Sequence, residues 1–177
     1  MNAAVPPERL ALAAAVATAG TPAATPAAAA RAPGPCIGVD LVDVDAIARS
    51  VADFGARFLD RFFTPSEQAA CRRADGQPDP ARLATRFAAK EAAIKALGLS
   101  EAGIGWTTLE VAGGGASAPR LVLHGPAVDA ARALRLDPGA LALSLSHEGG
   151  LACAMVVGLP AATAAESSNL DPDPAAP

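Results

Sequence analysis

Tyrosine is absent from this 177-residue chain, and aromatic residues together make up only 3% of it. Much of the 51% hydrophobic content is alanine, which buries little area per residue, so a core must rest on Leu, Val, Ile and five Phe. Cysteine is scarce too. Cys36, Cys71 and Cys153 are odd in number, far apart and outside any metal-ligand spacing. That argues against a disulfide framework or a zinc site and leaves buried thiols in a reducing, cytoplasmic setting. No apolar run approaches the ~18 residues that cross a bilayer, so no membrane partner is expected. Basic residues number 14 against 18 acidic ones, for a net charge of -4, which speaks against a general nucleic-acid binder.

What is present falls into three stretches. Residues 1–35 form an Ala/Pro/Thr tract and 161–177 an acidic Ala/Pro tract. Neither has enough large apolar side chains to offset the entropy of ordering, so both read as disordered tails. The leader segment "ERLALAAAVATAG" imitates a signal-peptide core ending in Ala17-Thr18-Ala19, but Glu8 beside Arg9 and a nearly missing positive start argue against secretion. Residues 36–160 carry the domain.

Within that domain "CIGVDLV" suits a strand ending at Asp40, and "DVDAIARSVADFGARFLDRFF" has helical periodicity with Gly55 as a break. Thr64, Pro65 and Glu67 compose a capping box. Asp79 and Pro80 start a second helix that stops at Gly98. Then come "WTTLEVA" and "PRLVLHG" as strands, a helix over 126–136, and "LALSLSH" with "LACAMVV" as a hairpin across Glu148-Gly149-Gly150. Helices first and antiparallel strands later predict an α+β domain, an antiparallel sheet packed with helices.

The segment "RFAAKEAAIKALG", Arg86 to Gly98, raises the functional question. On a helical wheel Leu83, Phe87, Ile94 and Leu97 share a stripe with Lys90 in its middle, Glu91 beside it and Lys95 one turn beyond. The plain reading is a snorkelling lysine next to an exposed Glu91–Lys95 pair. The functional one is that Arg86, Lys90 and Lys95 line a cleft and meet phosphates, while Glu91 holds a hard divalent ion. Magnesium takes one or two carboxylates and completes its shell with water and phosphate oxygens. Asp40, after "IGV", is placed to be the second carboxylate. Asp43 and Asp45 suit caps or surface charges better.

The segments "IGVDLVDVDAI", "RFLDRFFTPSE", "RFAAKEAAIKALG", "GIGWTTLEV", "PRLVLHG" and "LSLSHEG", in this order, resemble holo-acyl carrier protein synthase, the small 4'-phosphopantetheinyl transferase family. The likeness runs through about 36–158. It implies a single copy of that family's fold, and transfer of the 4'-phosphopantetheine arm of coenzyme A to a serine of an apo-acyl carrier protein, releasing adenosine 3',5'-bisphosphate. It further implies magnesium held by Asp40 and Glu91, Lys95 on the coenzyme A phosphates, and His147 near bound coenzyme A. Glu91 is the candidate base for the serine hydroxyl, directly or through a bound water. A homotrimer with sites between subunits is the family's assembly, and the carrier served belongs to fatty acid biosynthesis, a polyketide pathway or another.

The partner would be a strongly acidic carrier. Residues 57–95 hold eight Lys/Arg against five Asp/Glu. Arg57, Phe58 and Arg61 form a basic and apolar patch able to steer and dock an acidic helix, or else a solvated helix face. The family's basic residue near the start of the first helix is replaced by Asp45 and Ala46, and its Thr-Gly after the long helix by Leu99 and Ser100. His124 reads as a loop-edge residue and Trp106 as core. Two other classes stand beside the transferase: a non-catalytic carrier-binding module, and a metal-dependent phosphohydrolase acting on coenzyme A.

Overall fold

The computed structural model describes residues 34–100, 103–114 and 117–160; the tail expectations therefore fall on residues outside it. β1 spans Cys36–Asp43, three residues longer than the sequence indicated, because its register against the last strand runs unbroken to Asp43 paired with Leu151. Asp43 then turns the chain: its side chain accepts from the Asp45 amide at 2.8 Å and caps α1, Val44–Phe54. Gly55, at φ 53°, breaks the helix as expected and α2 follows at Ala56–Phe62.

The Thr64 box is formed on both sides at the head of α3, Pro65–Ala70. Asp79 accepts from the amides of Ala81 and Arg82 to start α4, Pro80–Leu97, and Gly98 ends it in the left-handed conformation. The following region departs from expectation. Trp106–Thr108 is a 3-10 turn, and β2 begins only at Leu109, running to Gly114. β3, Ser117–Leu123, pairs with it antiparallel. α5 covers Pro126–Ala133, shorter than predicted because Arg135 adopts φ 58° and turns the chain away. β4, Ala142–Glu148, and β5, Leu151–Gly158, make the expected hairpin over Gly149 and Gly150.

The strands form two antiparallel sheets, β1-β5-β4 and β2-β3. Helix α4 lies across β1 and β5. It is buried almost all the way round: Ala84, Ala88, Ala89, Ala92, Ala93 and Ala96 are each fully covered. Small side chains let backbones approach closely, and Gly38 completes the seam, since a Cβ there would collide with the Ala92 carbonyl oxygen. The apolar stripe predicted for α4 is thus too narrow. Phe87 and Ile94 are only partly buried, and the alanines carry the contact.

Alternation along β1 has a further consequence. Cys36 and Gly38 face α4, whereas Ile37, Val39 and Leu41 are 61%, 48% and 63% exposed on the opposite face. Register places Met155 and Leu151 of β5 on that same outer face, and both are exposed.

Candidate active site

β1 and α4 together set the candidate site. The seam at Gly38 fixes β1 against α4, and two residues further Asp40 emerges beside the helix with its side chain only 15% exposed. Lys95 reaches back from α4. Its Nζ donates to Asp40 Oδ1 at 2.6 Å and to the Val39 carbonyl at 3.3 Å. Glu91, one turn before Lys95, is half-buried in the same place. Burial raises its pKa above the ordinary carboxylate value, the Asp40 charge raises it further, and Lys95 opposes both. Asp40 and Glu91 therefore feel each other's charge although 51 positions separate them in sequence (91 − 40 = 51). The hydrogen bond to Asp40 raises the Lys95 pKa, so its ammonium stays charged.

Two carboxylates that raise each other's cost of charging, with an ammonium set against one of them, could hold a divalent cation. The donor set suits magnesium, which needs few protein oxygens when substrate phosphates complete its shell. Among the described residues no group of three or more His, Cys, Asp or Glu gathers to hold a metal, so the pair would depend on substrate and water oxygens to complete a shell. The expected Glu91–Lys95 surface pair is not what forms; Lys95 chooses Asp40 across the seam.

Lys90 and Arg86 require correction as phosphate contacts. The Lys90 ammonium is fully buried, bonded to Glu67 Oε2 at 2.7 Å and to the Trp106 carbonyl at 3.1 Å. It neither snorkels nor faces a cleft. Burial lowers its pKa, with Glu67 opposing that shift. Arg86 is also buried, donating to the Gly113 carbonyl at 3.1 Å and the Arg82 carbonyl at 3.3 Å; its Nε has no partner among the described residues. The helical wheel explains the separation: Lys95 lies about 140° around α4 from Lys90, so both cannot line one wall.

Sequence reasoning missed Glu67. Beyond its cap role it accepts from the Val111 amide at 2.9 Å and from Lys90, tying α3, β2 and α4 at one buried point. The capping box identified the residue but gave no sign of partners 23 and 44 positions away.

His147 is exposed near the end of β4, on the face shared with Asp40 but two strands across and two residues along, about 12 Å by strand spacing. Arg57 and Arg61 are exposed on α2, with Phe58 partly buried between them. Phe58 packs on Phe62 with the rings tilted by 48°, and Arg61 lies 5.7 Å from the Phe62 ring centre. Trp106 stacks on Phe87 at 5.1 Å and is partly buried. His124 follows β3 exposed, 3.0 Å from Glu110.

An antiparallel β1-β5-β4 sheet with α4 across it sets two carboxylates and a lysine side by side, and the comparisons identify the family that has this fold. The family model of the 4'-phosphopantetheinyl transferase superfamily matches residues 36–154, and the chain belongs to that family. It is 50% identical over 125 residues to a holo-[acyl-carrier-protein] synthase of Anaeromyxobacter dehalogenans, spanning 68% of this chain and 92% of that relative. A Solidesulfovibrio magneticus relative of the same name is 45% identical over 123 residues, spanning 68% of this chain and 94% of its own length. Among solved structures, the Helicobacter pylori holo-[acyl-carrier-protein] synthase in complex with coenzyme A matches with a TM-score of 0.56 and 31% identity. That match covers 69% of this chain and 98% of the other.

Proposed function

We propose that this chain is a holo-[acyl-carrier-protein] synthase, transferring 4'-phosphopantetheine from coenzyme A to a serine hydroxyl of an apo-acyl carrier protein. The single observation that carries the reading is the convergence of Asp40, Glu91 and Lys95 at the β1–α4 seam. The names of the relatives, and the coenzyme A held by the Helicobacter pylori protein, support the substrate pair. A binding module without turnover would have no need of that trio, and a coenzyme A hydrolase would not need the carrier.

In this reading Asp40 and Glu91 would hold magnesium, which when bound would supply charge neutralisation to the diphosphate of coenzyme A. Lys95 reaches the phosphates of the departing adenosine 3',5'-bisphosphate, where a fixed ammonium stabilises developing negative charge. Glu91, half-buried beside Asp40 and Lys95, is the candidate to take the serine proton, directly or through a bound water. His147, too far across the sheet to share those ligands, suits a phosphate at the other end of a long nucleotide.

Arg57 and Arg61 supply positive charge for an acidic carrier helix, and Phe58 an apolar contact between them. The bare outer face carrying Ile37, Val39, Leu41, Leu151 and Met155 supports the homotrimer: exposed aliphatic side chains in a contiguous patch mark an assembly surface. Cys36, Cys71 and Cys153 all remain thiols, which fits a cytoplasmic enzyme. No helix among the described residues is long and apolar enough to cross a membrane.

The test is the intact mass of an apo carrier incubated with coenzyme A, magnesium and this protein. A gain of one phosphopantetheine, with equimolar adenosine 3',5'-bisphosphate, is expected. Nucleotide released without a carrier would instead favour hydrolysis.

A further inference from the structure

Lys95 grips Asp40 in a manner that bears on how the site is loaded. Its Nζ takes two oxygens of β1, Asp40 Oδ1 at 2.6 Å and the Val39 carbonyl at 3.3 Å, beside the Glu91 carboxylate. Those are hard oxygens around a single positive centre. One oxygen of the Asp40 carboxylate, Oδ1, is already engaged at charge-assisted hydrogen-bond distance. A second cation on the same carboxylate would meet the ammonium's charge at close range. The partners also differ in mobility: the Lys95 side chain is 50% exposed, that of Asp40 15%. Lysine carries its charge on a flexible four-carbon stem and can retire into water, while Asp40 is anchored in a strand packed on α4. Exposed ion pairs of this kind shift equilibria by no more than about fivefold, so the grip is breakable.

We propose that Lys95 is a tethered cation which occupies the metal position on Asp40 and is exchanged for the divalent ion, so that loading the site is what frees the lysine for the substrate's phosphates. This rests on Asp40 and Glu91 being the metal ligands. One charge then serves two stations: it offsets the paired carboxylates before loading and faces the phosphates afterwards. The trio carries a net charge of -1, and exchange places two positive charges where one had been while moving the lysine's charge outward.

Binding of manganese to the full-length, chelator-stripped protein without coenzyme A tests this, with free ion read by electron paramagnetic resonance. Lys95→Ala is expected to bind manganese on the order of two- to fivefold tighter than wild type, because its competitor is gone. Lys95→Arg, which keeps the charge, should stay near wild type. Unchanged or weaker binding by Lys95→Ala overturns the exchange. Asp40→Asn separates that outcome from failure of the site itself. If Asp40→Asn binds manganese as wild type does, the metal-site reading is wrong. If it binds weakly while Lys95→Ala shows no gain, only the exchange is wrong. Should Lys95→Ala fail to fold, wild-type protein labelled with nitrogen-15 at lysine decides. Magnesium must then shift the Lys95 ammonium resonance, and an unmoved resonance overturns the proposal.

Discussion

Lys90 and Glu67 show how a charge can be structural rather than catalytic. Both side chains are fully buried, and each has its hydrogen bonds met: Glu67 by the Thr64 and Val111 amides, Lys90 by Glu67 and the Trp106 carbonyl. Removing one partner leaves an uncompensated charge in the interior, which costs about 3–5 kcal/mol, whereas replacing both with apolar groups costs far less. Lys90→Met should therefore lower the urea midpoint sharply, and the Lys90→Met/Glu67→Leu double variant should recover part of it. A midpoint unchanged in Lys90→Met would contradict the burial. Cys71 offers a second check. Burial raises its thiol pKa to about 11. The folded protein thus keeps a proton that the unfolded chain releases near pH 9, so this thiol's contribution to stability falls as pH rises from about 9 to 11. Alkylation of Cys71 at pH 8 should be slow in the native protein and fast after denaturation. Little of this was visible beforehand, because a helical wheel places Lys90 among apolar neighbours without revealing a carboxylate 23 positions away.

At the scale of elements, the local signals were legible and the packing was not. Thr64 and Asp79 cap through their side chains, Gly55, Gly98 and the Gly149-Gly150 turn act through their backbone, and each does what its residue type requires. The burial of α4 on nearly every side escaped prediction because alanine reads as indifferent in a stripe of large side chains. Its meaning lies in the strand that approaches it. Gly38→Ala tests that seam directly. The added methyl collides with the Ala92 carbonyl, so β1 must shift from α4 and carry Asp40 away from Glu91 and Lys95. Loss of most transferase activity together with a lower melting temperature is expected. A fully active, equally stable variant would mean that the seam does not set the site. Trp106 illustrates a different limit: its 3-10 turn depends on Gly105 and on stacking against Phe87, neither of which strand propensity records.

For the molecule as a whole, the inner face of the β1-β5-β4 sheet carries Asp40 and the proposed site, and the outer face is left apolar. Val39 and Met155 lie opposite each other on that outer face. On the proposed trimer, Val39→Asp should shift the sedimentation coefficient towards that of a monomer and remove activity with it. A monomer that keeps full activity would refute assembly as a requirement. Carrier docking is argued at the same scale: with Arg57 and Arg61 as the exposed cations of α2, carrier affinity should fall as ionic strength rises, and Arg57→Ala/Arg61→Ala should flatten that dependence. An affinity indifferent to salt would count against the patch. Asp45 and Ala46 leave no basic side chain at the head of α1, so the proposed docking rests on Arg57 and Arg61 of α2.

The most direct measurement is the crystal structure of the protein with coenzyme A and manganese, the ion located by its anomalous scattering. One peak shared by Asp40, Glu91 and the diphosphate, with the Lys95 ammonium moved off Asp40 onto a phosphate, is the predicted result. A peak remote from either carboxylate, or a diphosphate bound with Lys95 still on Asp40, would contradict the account.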